Sequence, residues 1–299
     1  MYDFSMEIRL HKRPFGHGIE LSILGFGGMV VVGMEQNDAD AIVRESYESG
    51  INYFDVAPFY GGGEAEIKLG VALEPHRDRV FLACKTMQRS AGGARSELDR
   101  SLRRLRTDHF DLYQFHAVIE LGEVERIFSP GGAADAFVEA RREGKIRFIG
   151  FSAHSVEAAL AMLDHFTFDS MLFPVNFICY AQGNFGPQVM KKAKAKGVAR
   201  LALKSMAHGR WRKGEQRKYP KCWYRPIEDR AVAREALRFT LSEDVTAAIP
   251  PGDERLFRMA LELAVDLPPL TPEERRALLE SARGLKPLLT AAAETRRSR

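Results

Sequence analysis

The stretch Val80–His116, VFLACKTMQRSAGGARSELDRSLRRLRTDHFDLYQFH, contains one full period of the chain's rhythm. Its two ends, Val80–Lys85 and Phe110–His116, are short and nearly continuous in apolar residues, as strands covered on both faces must be. Between them Leu98, Leu102 and Leu105 recur at spacings of four and three, which is the stripe of a helix packed on one side. A strand, a helix and a second strand of this kind form a parallel crossover unit.

Outward from this unit the alternation recurs. Further strand candidates are Leu24–Gly27, Ile51–Asp55, Ile146–Phe151, Ser170–Val175, Val198–Leu203 and Thr246–Ile249. With the first two they make about eight cycles, the number of a (β/α)8 barrel, although a doubly wound open sheet has the same local signature. Asp38 is a candidate cap for a helix carrying Ile42, Val43, Ser46 and Tyr47, with Gly50 at its stop, and Leu256, Met259, Ala260 and Leu263 repeat the helical spacing. Thr271-Pro272-Glu273-Glu274 is a capping box that predicts an extra C-terminal helix. Before the first cycle, Ile8–Leu10 and Ile19–Leu21 flank a turn at Pro14, Gly16 and Gly18, the pattern of a hairpin that can plug a barrel floor. The tail Thr295–Arg299 is expected to fray. No linker interrupts the cycles, so residues 1–299 read as a single domain.

Composition excludes several classes. The chain has 299 residues, 45% apolar, with 44 Lys and Arg against 40 Asp and Glu, which rules out disorder, collagen and coiled coil. The N-terminal segment, charged at Asp3, Glu7, Arg9, Lys12 and Arg13, lacks the apolar run of a signal peptide. The uncharged run Ser170–Met190 carries Pro174, Asn176, Gln182, Asn184 and Pro187, so it reads as a buried strand leading into a loop rather than a membrane span. Cys84, Cys179 and Cys222 show neither a disulfide framework nor metal-ligand spacing. The expectation is a cytoplasmic protein with no metal and no membrane partner.

Four residues able to move protons stand at or just past the C-terminal ends of adjacent strand candidates: Asp55, Tyr60, Lys85 and His116. Each alone has an ordinary explanation, as a helix cap, a rim aromatic, a solvated strand end and a core histidine. Together, at the edge where parallel α/β folds build sites, they make a proton relay. Tyrosine, with a reference pKa of about 10, needs a nearby cation to become a better acid, and a buried lysine needs a carboxylate to stay charged. His116 can then orient a carbonyl oxygen as it gains charge.

The strings LGFGGM (24–29), NYFDVAPFYGGGEAEIKLGVAL (52–73), ACKT (83–86), DLYQFHAV (111–118) and GKIRFIGFSAHS (144–155) resemble the aldo-keto reductase superfamily, in order and spacing, across nearly the whole chain. The resemblance implies a (β/α)8 barrel that binds NADP(H) and transfers hydride to an aldehyde or ketone. It makes Tyr60 the general acid, Lys85 and Asp55 its tuning pair, and His116 the orienting group. Gly25 and Gly27 are followed by Val30 where a dinucleotide fingerprint needs a third glycine, which agrees with a cofactor held by barrel loops.

The same resemblance points to Gly28 and Met29, to Ser152 and Asn176 as the pair for the nicotinamide carboxamide, and to Gly252 at the adenosine end. The asparagine usual after the serine is Ala153, and His154 reads as a residue leading into a helix rather than a catalyst. Lys204, followed by Ser205, stands where an aromatic often stacks on nicotinamide; a lysine there can approach the carboxamide or pyrophosphate. Phe257, Ala260 and Leu261 replace the usual adenosine-pocket residues, and Arg255 and Arg258 are the candidates to grip a 2′-phosphate, so NADP(H) is expected over NAD(H). Cys84, next to Lys85 on a strand, should point to the helix side.

The segment His208–Arg230 gathers Arg210, Arg212, Lys213, Arg217, Lys218, Lys221, Arg225 and Arg230 with Trp211, Tyr219, Trp223 and Tyr224, against Glu215, Glu228 and Asp229. These are the ingredients of a nucleic-acid surface, but a loop covering a dinucleotide needs no second function, and no nucleic-acid partner is expected. The functional expectation is an NAD(P)H-dependent reductase of a small carbonyl compound. The alternative is a nicotinamide-binding regulatory or sensor protein with little turnover; a barrel hydrolase lacks a nucleophile motif.

Overall fold

The computed structural model describes residues 10–291. Twelve strands and eleven α-helices follow one another along them. The hairpin strands β1 (Lys12–Gly16) and β2 (Ile19–Ser22) come first. Then come β3 (Phe26–Gly27), β4 (Tyr53–Asp55), β5 (Phe81–Thr86), β6 (Phe110–Val118), β7 (Ile146–Ala153), β8 (Ser170–Pro174) and β9 (Ala199–Leu203). After β10 (Ala207–Arg210) and β11 (Tyr224–Pro226), β12 (Ala247–Ile249) completes the main sheet.

That sheet has eight parallel strands in the order β12, β9, β8, β7, β6, β5, β4, β3. Its two ends meet through a Leu24–Ala248 bridge, with Gly25 N–H donating to Ala248 O at 2.9 Å and Ala248 N–H to Ile23 O at 2.9 Å. The result is a nearly closed (β/α)8 barrel, as the strand and helix alternation predicts. All eight strand expectations are met within two residues at every boundary.

The two-residue period of a strand divides its side chains between lumen and helix layer. Tyr53, Phe81, Ala83, Leu112, Leu172, Leu201 and Ala247 pack together inside. Phe54, Leu82, Cys84, Tyr113 and Phe115 belong to the layer under the helices. Extending the inner set by one step along β4, β5 and β6 puts Asp55, Lys85 and Gln114 on the lumen side, with Lys85 and Gln114 in register and Asp55 opposite Ala83. Phe15 and Leu21 of the hairpin join the inner cluster from below, Phe15 lying 4.9 Å from Phe81 between ring centroids. The plug therefore forms as expected. Among the described residues its first strand starts at Lys12, after Leu10; Ile8 and Arg9, like Thr295–Arg299, lie outside them.

Helix Gln36–Glu48 begins after Glu35, and neither Glu35 nor Asp38 caps it with a side chain. Asp38 instead sits in the first turn, where its charge still favours the positive end of the helix dipole. Ser170–Met190 holds β8 and then helix Phe177–Gly183, where only a loop was expected. The C-terminal helix Pro272–Ser281 has the predicted box: Thr271 caps Glu274 N–H and Glu274 returns to Thr271 N–H. Among the described residues no helix is long and apolar enough to cross a membrane.

Helix Glu64–Leu73 approaches the end of helix Ala91–Arg104 at Gly70, where a Cβ would lie 2.4 Å from Arg104 O and 2.9 Å from Leu105 Cα. Backbone cannot yield as a side-chain tip can. Gly70→Ala is expected to lower stability by about 1–3 kcal/mol. Thermal denaturation reads this directly, and an unchanged midpoint contradicts the close contact.

Candidate active site

The C-terminal ends of the barrel strands open into a cavity of about 430 Å³. Its wall brings together Asp55, Tyr60, Lys85 and His116, the four residues expected from sequence, from β4 and the loop after it, β5 and β6. Asp55 and Lys85 are 2% and 1% exposed and form a buried ion pair. Lys85 Nζ also donates to Val56 O at 3.1 Å. The second carboxylate oxygen of Asp55 accepts from Tyr53 Oη and Gln114 Nε2, both at 3.1 Å. These two partners were missed from sequence because both look like ordinary strand interior; only lumen phase marks them.

Tyr60 is half-buried, with Lys85 Nζ 5.6 Å from its ring centroid and the His116 ring 6.1 Å away, edge-on. Burial pushes its hydroxyl above the usual tyrosine range; Lys85 pulls it down, and Asp55 and Cys84 push it up again. The expected assistance from Lys85 is present but outweighed, so the hydroxyl keeps its proton. Burial alone would drive Lys85 down, yet Asp55 and Tyr60 more than offset this and hold it above the ordinary lysine value.

His116 lies well below the usual histidine range because of burial and then the cations Lys85, Arg89 and Lys204, with His154 adding to them. It is neutral at ordinary pH, and its Nδ1 is buried without a protein partner. Its backbone is fixed by Arg89, which donates to His116 O at 2.6 Å while pairing with Glu123 at 3.0 Å. The next residue, Ala117, turns at φ 52° and donates its N–H to Ser152 Oγ at 2.8 Å. Arg89 carries no sequence signal of this role.

His154 leads into the helix that Ser155 caps, as read from sequence, and it also lines the cavity. Burial and then Lys204 bring His154 down to about 3. Cys84 does point away, toward Glu66 Oε1 at 3.6 Å.

Of the candidate cofactor residues, Met29, Ser152, Lys204 and Gly252 line the cavity. Gly28 lies beside it under Val56 and Leu69, and a Cβ on Gly252 would reach Met29 Cβ at 2.4 Å, so both glycines allow close packing of the rim. Asn176 and Ser205 are not brought to the wall. The Asn176 side chain accepts from Ile178 and Cys179 N–H and donates to Lys204 O and Ala207 O at 3.1 and 2.8 Å. It supports the turn that carries Lys204. Ser205 is buried beneath, its hydroxyl without a partner. Arg255 and Arg258 also stay off the wall: Arg255 pairs with Asp253 at 3.0 Å, and Arg258 with Glu45 at 2.9 Å.

The basic segment forms the ribbon β10–β11 and packs Tyr219 and Cys222 onto Leu256, with Trp211 Nε1 donating to Cys222 O at 2.8 Å. Arg217, Lys221, Trp223 and Tyr224 thereby become cavity wall. The open top of the barrel suits a dinucleotide. Lys221 stands near Asp253 and Glu254 at the start of the helix Glu254–Ala264, and the same wall holds His116, whose Nδ1 has no protein partner. Among the described residues no three His, Cys, Asp or Glu are grouped to hold a metal.

The sequence profile of the Aldo/keto reductase family matches residues 23–262. The chain is 30% identical over 216 residues to L-galactose dehydrogenase of Arabidopsis thaliana, covering 67% of each. It is 36% identical over 157 residues to aldo-keto reductase YhdN of Bacillus subtilis, covering 47% of this chain and 46% of that protein. The holo form of an aldo-keto reductase from Bacillus halodurans superposes with a TM-score of 0.73 at 24% identity, over 95% of this chain and 99% of that one. At that identity the likeness is one of fold.

Proposed function

This chain belongs to the aldo/keto reductase family, which makes it a carbonyl-reducing oxidoreductase served by a nicotinamide cofactor, and from that premise we propose the roles of its residues. The observation that carries the reading is the meeting of Asp55, Tyr60, Lys85 and His116 on one cavity wall. The bound cofactor supplies hydride. Tyr60 gives its proton to the carbonyl oxygen, for which a hydroxyl that stays protonated is the correct starting state. Lys85 stabilises the phenolate left behind, and Asp55 keeps Lys85 charged in a dry site. Neutral His116 donates one N–H to the oxygen and orients it.

Gly28, Met29, Ser152 and Gly252 border the proposed cofactor groove, while Asn176 holds up the turn bearing Lys204 and Ser205. We assign NADP(H) over NAD(H) on the strength of Arg255 and Arg258, each of which must exchange a carboxylate for the 2′-phosphate. The hairpin, barrel and C-terminal helix form one domain in this reading.

Fluorescence titration with NADPH and NADH, followed by a panel of aldehydes and ketones, tests the proposal. Tighter NADPH binding with turnover supports it. Binding without turnover favours a sensor role, and no binding overturns both. Glu45→Gln, which releases Arg258, is expected to improve NADPH over NADH about two- to fivefold, the range of an exposed ion pair. An unchanged ratio removes Arg258 from the phosphate site.

A further inference from the structure

Lys204 ends β9 in a left-handed turn at φ 66°, its carbonyl accepting from Asn176 Nδ2 and Ala207 N–H. Its Nζ lies 4.7 Å from the Tyr224 ring centroid and 5.1 Å from that of Trp223. Cation–π contact holds an ammonium in place without cancelling its charge. Among the described residues no carboxylate comes within ion-pair distance of it. Asp55 is the one acid on the cavity wall, and Lys85 already neutralises it. Lys204 is thus an uncompensated cation in a partly dry site, which favours an incoming anion.

Two anions could answer it, the dinucleotide's diphosphate or a charged group on the substrate. Position separates them. Lys221 donates to Val30 O at 2.7 Å and feels Glu254, Asp253 and Glu64, so it stands at the helix end of the cavity. Lys204 instead acts on the reacting end: its charge bears on His116 and His154, and Lys85 bears on it in turn. Trp223, against which Lys204 rests, is 46% exposed, and Phe59, whose ring lies tilted 4.9 Å from that of His116, is 50% exposed. These two apolar faces frame the mouth above the cation.

We infer that Lys204, framed by Trp223 and Tyr224, anchors an anionic group of the substrate, so that the preferred carbonyl compounds carry a carboxylate on an aromatic or apolar body. This rests on the reductase reading above and narrows it to a substrate class. The anchor requires a charged Lys204. Burial lowers its pKa and Lys85 lowers it further, with Cys222 alone raising it, to about 8. Of the other groups facing it, His116 and His154 are neutral at that pH, Tyr224 and Cys222 keep their protons and Lys85 keeps its charge, so none of them changes state with it.

The test compares the three carboxybenzaldehydes with their methyl esters in the wild type, Lys204→Met and Lys204→Arg. In the wild type, kcat/KM for at least one acid should exceed that of its ester by about 10- to 100-fold, the worth of a charge-assisted hydrogen bond. Lys204→Met should bring that ratio near one, and Lys204→Arg should restore part of it. The ratio should also fall as pH rises through about 8, where the cation is lost. A ratio near one in the wild type overturns the anchor while ester turnover leaves the reductase reading standing. So does a Lys204→Met variant that weakens NADPH binding tenfold with the ratio unchanged, since the charge would then serve the diphosphate. Calorimetric titration of benzoate into the NADPH-bound protein reads the anchor without turnover. Binding lost in Lys204→Met supports it, and equal or absent binding overturns it.

Discussion

Tyr60→Phe is expected to lower kcat about 10²- to 10⁴-fold, the usual contribution of a positioned general acid, while NADPH affinity stays within about twofold. The prediction is sharp because the substitution removes one oxygen and little packing. The ring keeps its contacts with Phe59 and His116, whose centroids lie 5.2 and 6.1 Å away. A loss confined to kcat therefore reports chemistry. Steady-state kinetics on any aldehyde accepted by the wild type, paired with a fluorescence titration, distinguishes the outcomes. Retained kcat would remove Tyr60 from the proton path.

The second large effect is on stability. Lys85→Met leaves Asp55 buried at 2% exposure with only Tyr53 and Gln114 as hydrogen-bond donors, and breaking a buried pair from one side costs about 3–5 kcal/mol. Asp55→Asn combined with Lys85→Met removes both charges and should recover most of that loss in chemical denaturation. Activity should stay abolished in the double variant. Recovery of both would make the pair scaffolding, and recovery of neither would mean that the charges act separately. The pH dependence follows from the raised Lys85 value. A lysine that holds its proton more tightly when folded contributes fully below the unfolded lysine pKa of about 10.4. That contribution fades as pH rises through the folded value, so no loss from this pair is expected near neutrality.

The barrel was legible because its strands are dry on both faces and therefore read as apolar runs, and because Leu98 and Leu102 mark a helix by spacing alone. The meeting of the four candidate residues on one wall was legible for a related reason. Charged groups at the ends of such runs, as Lys85 in FLACKT, have few reasons to be there. What escaped was whatever depends on a partner distant in sequence. Nothing near Arg89 announces that it clamps the carbonyl of His116, and nothing near Arg258 announces Glu45, from the first helix, as its partner. His154 does lead into the helix that Ser155 caps, but nothing in that local pattern shows that it also faces the cavity. Only the packing of Trp223 over the barrel mouth makes it part of the wall. Nor does any motif announce that the Asn176 amide caps a helix and donates to the turn that carries Lys204.

The hairpin floor sets the traffic through this molecule. Phe15 and Leu21 join Tyr53, Phe81, Leu112 and Leu201 in one packed interior, so the barrel is a plug rather than a pipe. On the reading proposed above, cofactor and substrate then share the mouth at the strand ends, and the one seated deeper has to enter first and leave last.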